Sequence, residues 1–99
     1  MERVVRAVTY KLIFTPQAKE DIARLRKSGD KQALKKLDRI REELEEHPKT
    51  GIGKPEQKKY GLSGYWSREI TEKHRIIYRI QEETVTVVVV KAYGHYDDK

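Results

Sequence analysis

Glu56 is the one acid in KPEQKK, a run that places Lys54, Lys58 and Lys59 around it. A carboxylate so placed is either an ion-pair partner or a base held where a polyanion docks. RNA brings its own nucleophile, the ribose 2′-hydroxyl. Cutting RNA without a metal needs a base for that hydroxyl, cations for the extra phosphate charge, and an acid for the departing 5′-oxygen. Glu56 suits the first task. Arg68, Arg75 and Arg79 suit the second, and Trp66 among them could stack on a base. Near the end of the chain, YGHY offers an imidazole at His95 and a phenol at Tyr96. The plainer reading of that tail is packing, with Tyr93 and Tyr96 pinning the end and His95 solvated.

Other chemistries have little to work with. The chain has no cysteine, so disulfides and thiolate catalysis are excluded. It has no HExxH, no Cys/His pair and no acidic cluster, so neither a metal nor another cofactor is expected. GIGKP lacks the spacing of a phosphate-binding P-loop, and no serine stands in a nucleophile elbow.

The formal charge is +6. Residues 49–79 carry most of it, with eight Lys/Arg against Glu56, Glu69 and Glu72. Such a block suits nucleic acid, or it is a solvated basic surface. Charged residues (38%) outnumber hydrophobic ones (36%), so the core is small. The length fits one domain over 1–99, with residues 1–7 as an extension ahead of the fold. No apolar run is long enough for a signal-peptide core or a membrane span, which predicts a cytoplasmic protein.

These residues need elements to position them. Tyr10 to Phe14 reads as a strand. Thr15-Pro16 starts a helix with an N-cap and a first-turn proline. Ala18, Ile22 and Leu25 form its apolar stripe. Asp30 caps a second helix with Ala33, Leu34, Leu37, Ile40 and Leu44 inward, and His47-Pro48 ends it. After the glycine loop 49–55, strand-like runs occupy 57–60, 65–71, 74–81 and 84–93, with Val85 to Val90 placed centrally. The expected fold is α+β, β-α-α-β-β-β-β, with a helical hairpin on one face of a small, mainly antiparallel sheet. A two-residue turn at Glu72-Lys73 would pair Ile70 with Arg75 and put Arg68, Arg75, Arg79 and Trp66 on one face.

The run GKPEQKKYGLSGYWSREITEKHRIIYRI, Gly53 to Ile80, with the closing GHY, resembles the YoeB (Txe) branch of the RelE/ParE toxin superfamily. The resemblance extends from about Val8 to the terminal His-Tyr pair. It implies a toxin of a type II toxin–antitoxin system that cuts mRNA in the ribosomal A site, without metal, by 2′-hydroxyl attack. Carried over by motif, Glu56 would be the base, Arg75 the phosphate-stabilising cation, and His95 and Tyr96 the acid or orienting pair. Lys54 and Arg68 would contact RNA, with Lys58, Lys59 and Trp66 in the same RNA-binding set. The implied partners are a YefM-like antitoxin, mRNA and the ribosome, a second copy of the chain, and operator DNA only through the antitoxin. Two other readings remain open: a subunit acting mainly as co-repressor with its antitoxin, and a ParE-like poison of a topoisomerase. Glu69, where the family often has arginine, and the tail Asp97-Asp98-Lys99 depart from the pattern.

Overall fold

Thr15 and Pro16 turn the chain from strand into helix. In a computed structural model that describes residues 9–58 and 64–94, strand β1 (Lys11–Phe14) runs directly into helix α1 (Pro16–Ser28). Thr15 is extended, and its hydroxyl accepts the Ala18 amide at 3.1 Å. Proline at the first helical position loses no hydrogen bond there. Gly29 ends α1 in the left-handed conformation, φ 76°. Asp30 then caps α2 (Lys31–Glu46) by accepting the Ala33 amide at 3.0 Å. Two sequence signals thus set both helix starts where they were expected.

The hairpin buries Ala18, Ile22 and Leu25 from α1 and Ala33, Leu37, Ile40 and Leu44 from α2. It packs on one face of a five-stranded sheet of order β1-β5-β4-β3-β2. The other strands are β2 (Glu56–Gln57), β3 (Tyr65–Glu69), β4 (Arg75–Gln81) and β5 (Thr86–Lys91). Only β1 with β5 is parallel; the remaining pairs are antiparallel. Ile76, Tyr78, Val87 and Val89 supply the sheet's share of the core. The fold is α+β, and β5 lies inside the sheet, as its two-sided apolar sequence requires.

One register differs from expectation, and it rearranges the site. Glu69, not Ile70, pairs with Arg75. The β3–β4 connection is wider than two residues because Thr71 organises it. Its hydroxyl accepts the Lys73 and His74 amides, each at 3.1 Å. A one-residue slip in pairing sends every side chain to the opposite neighbour set. Trp66 and Arg68 therefore share the helix-side face with Tyr78 and Ile76, while Arg75 and Arg79 point the other way with Tyr65.

The run of β5 ends on an anchor. Asp21 of α1 is 2% exposed. One of its carboxylate oxygens accepts the Ala92 amide at 3.0 Å, the other the Gln17 amide nitrogen at 2.8 Å. Tyr93 follows, its ring 4.3 Å from the His74 ring, with the Arg24 guanidinium 4.6 Å from its centroid. Tyr93 thus fulfils the packing role anticipated for it. Among the described residues no helix is long and apolar enough to cross a membrane.

Candidate active site

The helix-free face of the sheet gathers polar and charged side chains in rows. One row runs Glu56, Ser67, Ile77, Lys91 across β2, β3, β4 and β5. Beside it, Glu69 on β3 faces Arg75 on β4. On the other side, Lys58 meets Tyr65 through a 2.8 Å backbone hydrogen bond, and Tyr65 pairs with Arg79. Glu56 and Arg75 are therefore on one face, two strands and two residues apart, a backbone separation of about 12 Å from standard sheet spacings. Ser67, the cross-strand partner of Glu56, is fully buried. Among the described residues its Oγ and the Nε of Arg79 have no hydrogen-bond partner.

Arg68 is not on that face. It is 0% exposed, so the RNA contact expected of it is not available. Its guanidinium holds the glycine loop instead. Nη1 donates to Glu43 Oε1 at 2.6 Å and to the Ile52 carbonyl at 3.3 Å. Nη2 donates to the carbonyls of His47 (2.9 Å) and Thr50 (2.7 Å). Nε donates to the Tyr78 hydroxyl at 3.2 Å, which donates in turn to the Pro48 carbonyl at 2.7 Å. Burial pushes the Glu43 carboxyl up, but the Ile52 amide, Arg68 and His47 outweigh it and hold it below its ordinary range. Burial raises the Tyr78 phenol, with Arg68 opposing. A buried arginine with its carboxylate and its full set of acceptors is satisfied; either partner alone would be costly.

This cluster presents Glu56. The loop it clamps continues through Gly53, whose carbonyl accepts the Glu69 amide at 2.6 Å. Lys54 then adopts φ 50°, a left-handed conformation unusual for a side-chain-bearing residue, directly before Pro55 and Glu56. Lys54, Glu56 and Gln57 are exposed. Trp66 is half-buried against the core on the helix side, so it does not share a face with the arginines as expected.

The segment after β5 closes on Arg75. The Arg75 amide donates to the Gly94 carbonyl at 3.0 Å, and the Gly94 amide donates to His74 Nδ1 at 2.9 Å. The segment leading to the expected His-Tyr pair is thus tied to the backbone of the expected phosphate-binding arginine. His95, Tyr96, Lys59, residues 1–7 and the tail Asp97-Asp98-Lys99 lie outside the described residues. Glu43, Asp21 and Tyr78 did not stand out by spacing. A glutamate on the α2 face next to the buried stripe was the one available hint, since Glu43 precedes Leu44.

A family model described as a YoeB-like toxin of bacterial type II toxin–antitoxin systems matches residues 14–96. A protein named toxin YoeB from Mycobacterium bovis is 40% identical over 83 residues, covering 84% of this chain and 94% of its own. Among solved structures, a YoeB/ParE toxin from Agrobacterium tumefaciens superposes with a TM-score of 0.79 at 31% identity, over 87% of this chain and 99% of its own. The toxin in a heterotetrameric YoeB–YefM toxin–antitoxin complex from Staphylococcus aureus gives 0.72 at 32% identity, over 88% and 98%. A YoeB dimer from the same organism gives 0.74 at 31%, over 89% and 99%. This chain belongs to the family of YoeB-like toxins of type II toxin–antitoxin systems.

Proposed function

We propose that this toxin is an endoribonuclease that cuts mRNA in the ribosomal A site without a metal. The observation that supports it most directly is the shared sheet face of Glu56 and Arg75, with the Gly94 segment fixed to the Arg75 backbone. Glu56 takes the 2′-hydroxyl proton as the 2′-oxygen attacks phosphorus. Arg75 stabilises the charge that builds on the phosphoryl oxygens. The bond from phosphorus to the 5′-oxygen breaks, and that oxygen takes a proton from His95 or Tyr96. The products are a 2′,3′-cyclic phosphate and a free 5′-hydroxyl. Lys54, Lys58 and Lys59 hold the flanking backbone. Arg68 acts through the loop it clamps, and Trp66 through the core.

The partner of this toxin is a YefM-like antitoxin, by likeness to the Staphylococcus aureus complex, and two copies form a dimer, by likeness to the solved dimer. Operator DNA is met only through the antitoxin, and the protein works in the cytoplasm as a single domain. The test is expression of Glu56→Gln and, separately, Arg75→Ala in growing cells, with mapping of mRNA ends on purified ribosomes in EDTA and enough magnesium to keep them intact. Removing a general base or an oxyanion cation lowers the rate by about 10²–10³. Both variants should relieve growth arrest and leave mRNA whole. Full toxicity of Glu56→Gln would favour the topoisomerase reading, which has no use for a base there.

A further inference from the structure

Helix α2 carries its charges against its own dipole. Its first turn has no acid and its last turn no base. Lys31, Lys35 and Lys36 lie in the N-terminal half with Asp38, and Glu42, Glu43, Glu45 and Glu46 lie in the C-terminal half with Arg39 and Arg41. A helix N-terminus is partially positive and repels cations within the first turn, where Lys31 stands and Asp30 offsets it as the cap. Gln32, Lys35, Lys36 and Arg39 fall at i, i+3, i+4 and i+7, which is a single stripe on the helix surface. That stripe forms one wall of a groove of about 670 Å³, and Ile52 and Gly53 form the other. Among the described residues, no ion pair engages Lys35, Lys36 or Arg39. The groove therefore ends one residue short of Lys54, on the loop that carries Glu56.

We propose that this groove holds backbone phosphates of RNA, away from the phosphate to be cut and reached around the β2 edge. The proposal rests on the RNA reading of the sheet face and extends it to a second set of phosphates. Cations at helical spacing along a groove match a phosphodiester chain, which needs positive charge at intervals and no base-specific groups.

The test uses a single-stranded oligonucleotide with 2′-O-methyl sugars, which cannot be cut, and fluorescence anisotropy over a salt series. The full chain is compared with a groove triple, Lys35→Gln, Lys36→Gln and Arg39→Gln. A control triple carries Lys19→Gln, Arg26→Gln and Lys27→Gln on the exposed side of α1. Glutamine has nearly the helix propensity of lysine and arginine, so folding is preserved. At roughly 0.7 per phosphate for single strands, the slope of log K against log salt should fall by about 2 in the groove triple and stay near the unaltered value in the control. The melting temperature of the groove triple should stay close to that of the unaltered chain, because glutamine keeps the helix propensity. An unchanged slope, an equal loss in both triples, or no binding by the unaltered chain overturns the proposal. So does a groove triple that keeps RNA but loses a glutamate-rich peptide. Cleavage is judged separately, through Glu56→Gln on ribosomes, so a failure of the nuclease reading and a failure of the groove give different results.

Discussion

Glu69 and Arg75 are direct cross-strand partners, the last pair of β3 with the first of β4. Cβ atoms so opposed lie about 5 Å apart. The carboxylate thus sits beside the cation proposed to hold the scissile phosphate, on the same open face. It lowers the positive potential that an incoming phosphate meets.

Glu69→Gln should therefore raise the cleavage efficiency. Removing one charge at ~5 Å in water is worth about 0.8 kcal/mol, or roughly fourfold. The gain should shrink as salt is added, because the pair is exposed to screening. Steady-state cleavage of a ribosome-bound message at low and high salt reads both. Equal rates for the two proteins at low salt would show that Glu69 does not act on the site.

Arg68 and Glu43 should behave as one unit. Removing either partner of a buried pair leaves the other charge without compensation and costs about 3–5 kcal/mol. Arg68→Met and Glu43→Gln should each fall in that range in urea titrations, and the double variant should cost less than their sum. Additive losses would mean that the two do not cooperate. Glu43 also sets an acid limit. Its pKa is lowered in the fold, so its contribution is present above the ordinary value of 4.5 and is lost as pH falls through the lower, folded value.

Gly51 and Gly29 both have positive φ but should tolerate alanine very differently. A Cβ at Gly29 meets nothing within 4 Å. The cost there is the left-handed backbone alone, about 1–2 kcal/mol. A Cβ at Gly51 would overlap Glu43 Oε1 and come within 3.1 Å of Arg68 Nη1. Gly51→Ala must displace the carboxylate from the guanidinium, so its loss of stability should exceed that of Gly29→Ala by about 2 kcal/mol or more. Thermal melts of the two variants side by side check this. Equal losses would contradict the clamp.

His74 should make the Gly94 anchor sensitive to pH. Its Nδ1 accepts the Gly94 amide, so the ring is neutral in this arrangement. Burial lowers its pKa from the ordinary 6.5, Lys73 lowers it further, and Asp30 raises it. Tyr93, backed by Arg24, faces the ring from the other side. With a depressed pKa, the unfolded chain binds the proton more readily. The histidine's contribution is thus complete above 6.5 and is lost as pH falls through the folded value. The Gly94 amide resonance should shift as the pH falls through that folded value, which lies below the ordinary 6.5. His74→Gln should abolish that titration. A resonance that stays put in the unaltered protein would exclude the contact.

The sequence made the frame legible where the cause was local. Thr15, Pro16 and Asp30 announced both helix starts through capping alone, and the apolar stripes of α1 and α2 matched the buried residues. The two-sided apolar run 85–90 announced an interior strand. Glu56 stood out by its isolation among lysines, and it lies exposed on the edge strand β2. Arg68 was not, because its role depends on the β3–β4 register. Alternation along YWSRE divides the residues into two sets without saying which set faces the helices. Thr71 decides that by widening the turn. An arginine can sit inside only because Glu43, 25 residues earlier, and four loop and strand oxygens meet it there. No short window of sequence contains those partners.

The placement of β5 has a consequence for synthesis. It inserts between β1 and β4, and among the described residues β1 has no other neighbour in the sheet. Asp21 likewise finds the Ala92 amide 71 positions later. A nascent polypeptide that has not yet released β5 can close neither contact, so this part of the core waits for residues 86–92. Long-range pairings of this kind also fold slowly. Truncated products would then emerge with apolar surface uncovered and be ready prey for proteases.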